Sequence, residues 1–259
     1  VIEGDLREYS YEGDQQIDLL SGGVPCPPFS VAGKQLGPDD ERDLFPEMLR
    51  LAKEINPRAI MIENVRGLLD PTFDSYRDSI RSHLKTLGYE SDFRLLNASD
   101  FGVPQLRPRA LIVAMKSEEW KYFEWPDEDD KIEPPTVGEV LHKEMSADGW
   151  EGADLWREQA NSIAPTLVGG SKKHGGPDLG PTRAREAWAK LGVNGKLLGN
   201  ERPQPGFEGN PYLTVKMAAL IQGFPPEWEF AGRKTHAYRQ VGNAFPPPVA
   251  EAVGREIQI

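Results

Sequence analysis

Cysteine is nearly absent: Cys26 is the only one in 259 residues. That excludes an internal disulfide and any metal site built on several thiolates, and no metal is expected; it suits a reducing compartment. No apolar run is long enough to span a bilayer, so no membrane partner is expected, and no basic, apolar, small-residue leader opens the chain. No internal repeat is visible. Positive charge is in deficit, with 30 Lys and Arg against 41 Asp and Glu and a net charge of −11. Taken alone, that balance argues against a nucleic-acid partner. With 38% hydrophobic residues, the composition is that of a soluble globular protein of one large domain or two modest ones. Glycine (26) and proline (23) are plentiful, which predicts long loops.

The charge is uneven. "EEWKYFEWPDEDDKIE" (118–133) is densely acidic, whereas 169–196 carries six basic and two acidic side chains, locally +4. Such a patch can bind phosphates within an acidic protein. "IDLL" (17–20) reads as a buried strand running into a Gly-Gly-Val-Pro loop. "RDLFPEMLRLAKEINP" has helical spacing and ends at Asn56-Pro57. "RAIMIENV" is an apolar strand, "DSYRDSIRSHLKTLG" a helix with Gly88 as its cap, and "YESDFRLLN" and "RALIVAM" are further strands. The alternation predicts an α/β sheet. From 116 to about 211 the periodicity weakens, which predicts a small separate domain of loops and short elements. Helical patterns return from Leu213, and Val249, Val253 and Ile257 share one face of the last helix.

Three groups carry chemistry. Cys26 sits in "LLSGGVPCPPFSVAG" (19–33), after a strand and between prolines. A lone cysteine is ordinarily a small buried hydrophobe. Here the proline-framed loop restricts the thiol, and a fixed nucleophile attacks at lower entropic cost. Glu63 follows the apolar lead Ala59–Ile62 at the carboxyl end of a strand, where α/β folds bind ligands. Partial burial would let it hold a proton near neutrality; the plainer reading is a solvated strand end. Arg107 and Arg109 alternate at the start of a strand, so both are expected on one face, suited to a phosphate or a polarised carbonyl. A surface ion pair is the bland alternative.

Together with two later segments, these groups resemble the motifs of DNA cytosine-5 methyltransferases. The segments are "PCPPFS" (25–30), "ENV" (63–65), "QLRPR" (105–109), "LTVKMAALIQGFPPEWEF" (213–230) and "RQVGNAFPPPVAEAVG" (239–254), in the family's order. The resemblance implies an α/β fold: a Rossmann-like class I methyltransferase catalytic domain over 1–115 and 236–259, N-terminally incomplete, plus a small irregular target-recognition domain over 116–235. It implies methyl transfer from S-adenosylmethionine to C5 of a flipped-out cytosine in double-stranded DNA, through a covalent bond from Cys26 to C6. Glu63 would contact N3 and the exocyclic amine. Arg109, supported by Arg107, would polarise the O2 side or hold the nucleophile loop. Residues 27–41, with Gly33 and Gly37 as hinges, would form a lid. Pro27 stands where many members have Gln, so any DNA contact there must differ. The implied setting is a bacterial restriction-modification system, in the cytoplasm and at the nucleoid.

The family's Gly-rich cofactor turn is missing; "GDL" (4–6) resembles its third motif. The chain is therefore expected to start late: truncated, split with a second polypeptide carrying the missing motifs, or a remnant without catalysis. The cofactor contacts implied are Asp5, Leu6, Pro25, Leu44 and Asn243. For DNA they are Ser30, Gln105, Thr166, Leu167, Lys172, Lys173, Arg183 and Arg185, with Thr166-Leu167 near the flipped base and the arginines reading guanines. Two alternatives stand: the same fold acting on tRNA, and a non-catalytic DNA-binding subunit.

Overall fold

The computed structural model describes residues 2–25, 42–126, 131–169 and 177–257. They form two compact units. The first is Val1–Leu96, Pro108–Trp125 and Gly254–Ile259; the second is Asn97–Arg107 and Pro126–Val253.

The first unit holds a four-stranded sheet in the order β1-β2-β4-β3, formed by β1 (Leu19–Gly23), β2 (Ala59–Val65), β3 (Tyr89–Asn97) and β4 (Pro108–Lys116). β1 and β2 run parallel, with Gly23 opposite Glu63. β2 and β4 run antiparallel, with Val65 opposite Arg109 and Glu63 opposite Leu111. The β-branched Ile60 and Ile62 are 1% exposed, and Ala110 to Ala114 of β4 are fully buried. That is why both strands read as unbroken apolar runs rather than alternating ones.

α1 (Phe45–Ile55) buries Phe45, Met48, Leu49, Leu51 and Ala52. It stops at Asn56, which takes the left-handed conformation (φ 48°) and returns its N–H to Ala52. Lys116 Nζ holds the Asn56 side chain at 2.5 Å and lies 3.8 Å from the centre of the Tyr89 ring. α2 (Asp74–Thr86) buries Ile80 and Leu84 and is followed by Gly88 at φ 84°. These helices fall where the spacing placed them.

The stretch expected to be mostly loops is more ordered than its sequence suggests. It carries α3 (Val137–Ser146), α4 (Ala153–Gln159) and α5 (Thr182–Lys190). Each shows only one or two turns of apolar spacing between Gly and Pro, so periodicity alone is a faint signal. α3 starts with a reciprocal capping box between Thr136 and Glu139. Val137, Leu141 and Met145 of α3, with Trp156 and Trp188, join one core with Leu213, Met217, Ile221, Tyr238 and Val241. The core of the second unit thus takes in α6 (Val215–Ile221) and α7 (Lys234–Asn243). α8 (Pro247–Ile257) closes the chain, with Val249, Val253 and Ile257 buried as its spacing predicts.

Candidate active site

In the first unit, Glu63 and Arg109 meet. On an antiparallel pair, residues opposite one another point to the same face, so residues two apart on facing strands are diagonal neighbours. Long side chains bridge that gap: Arg109 Nε lies 2.6 Å from Glu63 Oε1, with side chains 12% and 15% exposed. The other carboxylate oxygen leans over β1. A Cβ added to Gly23 would stand 3.4 Å from Glu63 Oε2, so the glycine leaves an open approach there. Asn64, 1% exposed, accepts from the Val65 N–H at 2.8 Å and reaches the Val24 carbonyl at 3.5 Å. The carboxylate and the guanidinium therefore meet beside the end of β1, three residues before Cys26, while the Asn64 amide points to the other face of the sheet. Cys26 itself lies outside the described residues, as do Ser30, Lys172, Lys173 and the expected lid.

Arg107 does not share this setting. β4 begins at Pro108, so Arg107 precedes the strand, and it packs within the second unit at 1% exposure. Its Nη1 donates to the Leu167 carbonyl at 2.7 Å, and its Nη2 to the carbonyls of Gly242 (2.8 Å) and Ala244 (3.0 Å). The expectation of two guanidiniums presented on one strand face is corrected: strand alternation does not extend to a residue outside the strand.

Gln105 and Leu167, expected at the DNA, are also buried, at 0% and 1%. Gln105 Oε1 accepts from the Leu167 N–H at 2.7 Å. The polar groups of this pair are turned toward one another in the interior of the second unit. Thr166, next in line, is half-buried and donates its hydroxyl to the Leu106 carbonyl. Arg183 and Arg185 both lie on α5, but residues two apart on a helix do not face one another. Arg183 is exposed; Arg185 is half-buried and donates to Thr182 Oγ1 at 3.3 Å. Gly180 (φ 109°) lets the start of α5 meet Val168: a Cβ there would be 3.2 Å from Val168 Cγ2.

The expected cofactor residues divide between the units. Asp5, Leu6, Pro25 and Leu44 belong to the first. Leu6 and Leu44 are partly buried against its core. Asp5 accepts from the Arg7 N–H at 2.9 Å and from Arg7 Nη1 at 3.2 Å. That backbone bond, with the Arg7 charge, holds its carboxyl below the usual range. Arg50 ties the segment to α1 by donating to the carbonyls of Leu6 (3.0 Å) and Tyr9 (2.8 Å). An ionised acceptor followed by a partly buried leucine is a set of groups that an adenine amine edge could meet. Asn243 ends α7 in the second unit, against Gly169, where an added Cβ would be 2.5 Å from Asn243 Oδ1. Asn64 and Gln222 lie inside the motif segments, and sequence reasoning gave neither a role; only their buried hydrogen bonds single them out.

A family profile described as C-5 cytosine-specific DNA methylase matches residues 1–259. Among curated relatives, the Type II methyltransferase M.NaeI of Lentzea aerocolonigenes is 56% identical over 264 residues, covering 100% of this chain and 63% of that protein. The Type II methyltransferase M.NgoMIV of Neisseria gonorrhoeae is 55% identical over 260 residues, covering 99% of this chain and 82% of that protein. The chain thus spans less than two thirds of the first of these relatives. Among solved structures, a DNA modification methyltransferase encoded within an Escherichia coli prophage superposes with a TM-score of 0.63 at 23% identity, covering 98% of this chain and 84% of that one. That likeness concerns the fold.

Proposed function

We infer the function from one premise: the chain belongs to the C-5 cytosine-specific DNA methylase family. Its activity is methyl transfer to C5 of a cytosine flipped out of duplex DNA, in a Type II restriction-modification setting in the bacterial cytoplasm. The observation that carries this reading is the Glu63–Arg109 pair at the end of β1, three residues ahead of the single cysteine. A binding module has no need of a carboxylate, a guanidinium and a thiol at one strand end. The relatives favour DNA over tRNA as the substrate.

The residues divide the work as follows. The Cys26 thiolate attacks C6 and forms the C6–S bond, which moves electron density onto C5. Glu63 holds N3 and the exocyclic amine and meets the rising proton demand of the ring. Arg109 fixes the Glu63 carboxylate and lies close enough to favour negative charge building on the O2 side. S-adenosylmethionine, when bound, supplies the electrophilic methyl group. Asp5, Leu6, Pro25 and Leu44 would hold its adenine end. Loss of the C5 proton restores the ring and breaks the C6–S bond, which frees Cys26.

Target recognition belongs to 116–235. Thr166 lies near the flipped base, while Lys172 and Lys173 meet phosphates and Arg183 and Arg185 read guanine edges. Gln105, Arg107 and Leu167 act from beneath, as a support.

The test is trapping on duplex DNA containing 5-fluorocytosine, which blocks the last step because fluorine cannot leave as a proton. The expected result is a covalent adduct that needs S-adenosylmethionine and is lost in Cys26→Ala. An adduct that persists in that variant, or one formed on tRNA and not on DNA, refutes the reading.

A further inference from the structure

Gln222, the residue after α6, is 0% exposed and carries no role in the mechanism above. Its side chain closes a ring of hydrogen bonds. Gln222 Nε2 donates to the Ala244 carbonyl at 2.6 Å, and Gln222 Oε1 accepts from Gln105 Nε2 at 2.8 Å. Gln105 Oε1 accepts from the Leu167 N–H at 2.7 Å. Arg107 completes the ring by donating to the Leu167 carbonyl at 2.7 Å and to the Ala244 carbonyl at 3.0 Å. All of these groups lie in the second unit.

The direction of the ring is set by backbone groups: the Ile221 carbonyl accepts from Gln105 Nε2 at 3.4 Å, beside the stronger constraint at Gln222. A backbone carbonyl only accepts, so Gln222 must aim its amino group at Ala244. Its oxygen then faces Gln105, which must answer with its own amino group. That leaves Gln105 Oε1, and no donor, facing the Leu167 N–H. A flipped Gln105 would set donor against donor in a dry interior, which is costly. The backbone of Leu167 is thus gripped at both its N–H and its carbonyl, one in each flanking peptide, by side chains from the "QLRPR" segment.

We propose that Gln222 is a positioning residue for target-base engagement: it locks Gln105 in the orientation that fixes the Leu167 peptide, and so places Thr166 against the flipped base. This rests on the function proposed above, in which Thr166 lies near that base. The apolar packing of Leu167 with Met217 and Ile221 does not need the ring. What the ring adds is the orientation of the backbone on either side of Leu167.

Gln222→Met keeps the length and apolar bulk of the stem and removes both bonds. The expected result is a fall in kcat on target DNA of about a hundredfold, the scale of a misplacement remote from the chemistry. Affinity for non-target duplex, which reads phosphates, stays within about twofold. Discrimination against a site with one changed base should weaken, and the Leu167 amide should exchange faster. Wild-type kcat and discrimination in the variant overturn the proposal, as does a parallel fall of rate, non-target binding and thermal midpoint, which marks a purely structural role. If the variant does not fold, hydrogen exchange in the unaltered protein decides: the Leu167 amide must be among the slowest in the second unit, and exchange at a loop-like rate overturns the ring. Failure of the parent function reads out separately, because it would abolish trapping by the unaltered protein while leaving that amide slow.

Discussion

At the scale of single residues, Glu63 and Arg109 face each other at 2.6 Å with little water around them. Removing the Glu63 charge should therefore act on the chemistry more than on binding. Glu63→Gln keeps the shape but gives up a proton-holding carboxylate, a role worth about a hundredfold or more in rate. Single-turnover methylation should fall by that amount while DNA affinity holds; an unchanged rate would remove Glu63 from the mechanism. Gly242 makes a steric prediction. A Cβ there would sit 2.5 Å from Gly169 Cα and N, backbone atoms that cannot swing aside. Gly242→Ala should cost about 1–3 kcal/mol, as overpacking does, read from the urea midpoint at an unchanged slope. A shift within experimental error would mean that the two segments part easily. Glu63 and Arg109 were legible in the sequence because one follows the apolar lead of a strand and the other opens an apolar strand. The partners of Arg107 were not: its carbonyls lie 60 and more positions away at Leu167, Gly242 and Ala244. No local pattern announces a guanidinium buried for the sake of backbone oxygens.

At the scale of elements, α3 and α6 are joined through charge. Glu144, 8% exposed, meets Arg202 Nε at 3.0 Å and Lys216 Nζ at 2.9 Å. Burial pushes its carboxyl up, but the hydrogen bonds and charges of Lys216 and Arg202 outweigh that and hold it below 4.5. A carboxyl depressed in the folded state binds fewer protons there than in the unfolded chain. Its contribution is present above the unfolded value and is lost as pH falls through the folded one. Unfolding free energy should therefore decline below about pH 5, and Glu144→Gln should flatten that decline while lowering stability at neutral pH. An acid limb identical in the variant would show that Glu144 does not carry it. The long periodic helices α1 and α2 were legible for the same reason that α3, α4 and α5 were not. The former run three turns or more with one apolar face, whereas the latter are shorter, and α3 finds some of its partners far along the chain, in α6.

At the scale of the whole molecule, a net charge of −11 coexists with a local basic excess over 169–196, the segment proposed above to meet DNA. The same division into regions governs stability. The two buried clusters share no residue: one is built on Ile60, Ile62 and Ile112, the other on Leu141, Trp188 and Tyr238. A molecule with two cores has two places to lose packing, and two-state unfolding is not guaranteed. Leu141 is fully buried in α3. Leu141→Ala should cost about 2–5 kcal/mol within its own core. Trp150, Trp156, Trp188 and Trp228 all lie in the second unit, so tryptophan fluorescence chiefly follows that core. The fluorescence transition should move to lower urea in the variant. Amide exchange in the β2–β4 ladder, at Ile62 and Ile112, should keep its unaltered rate. If those strand amides quicken by the same free energy, the two cores unfold as one.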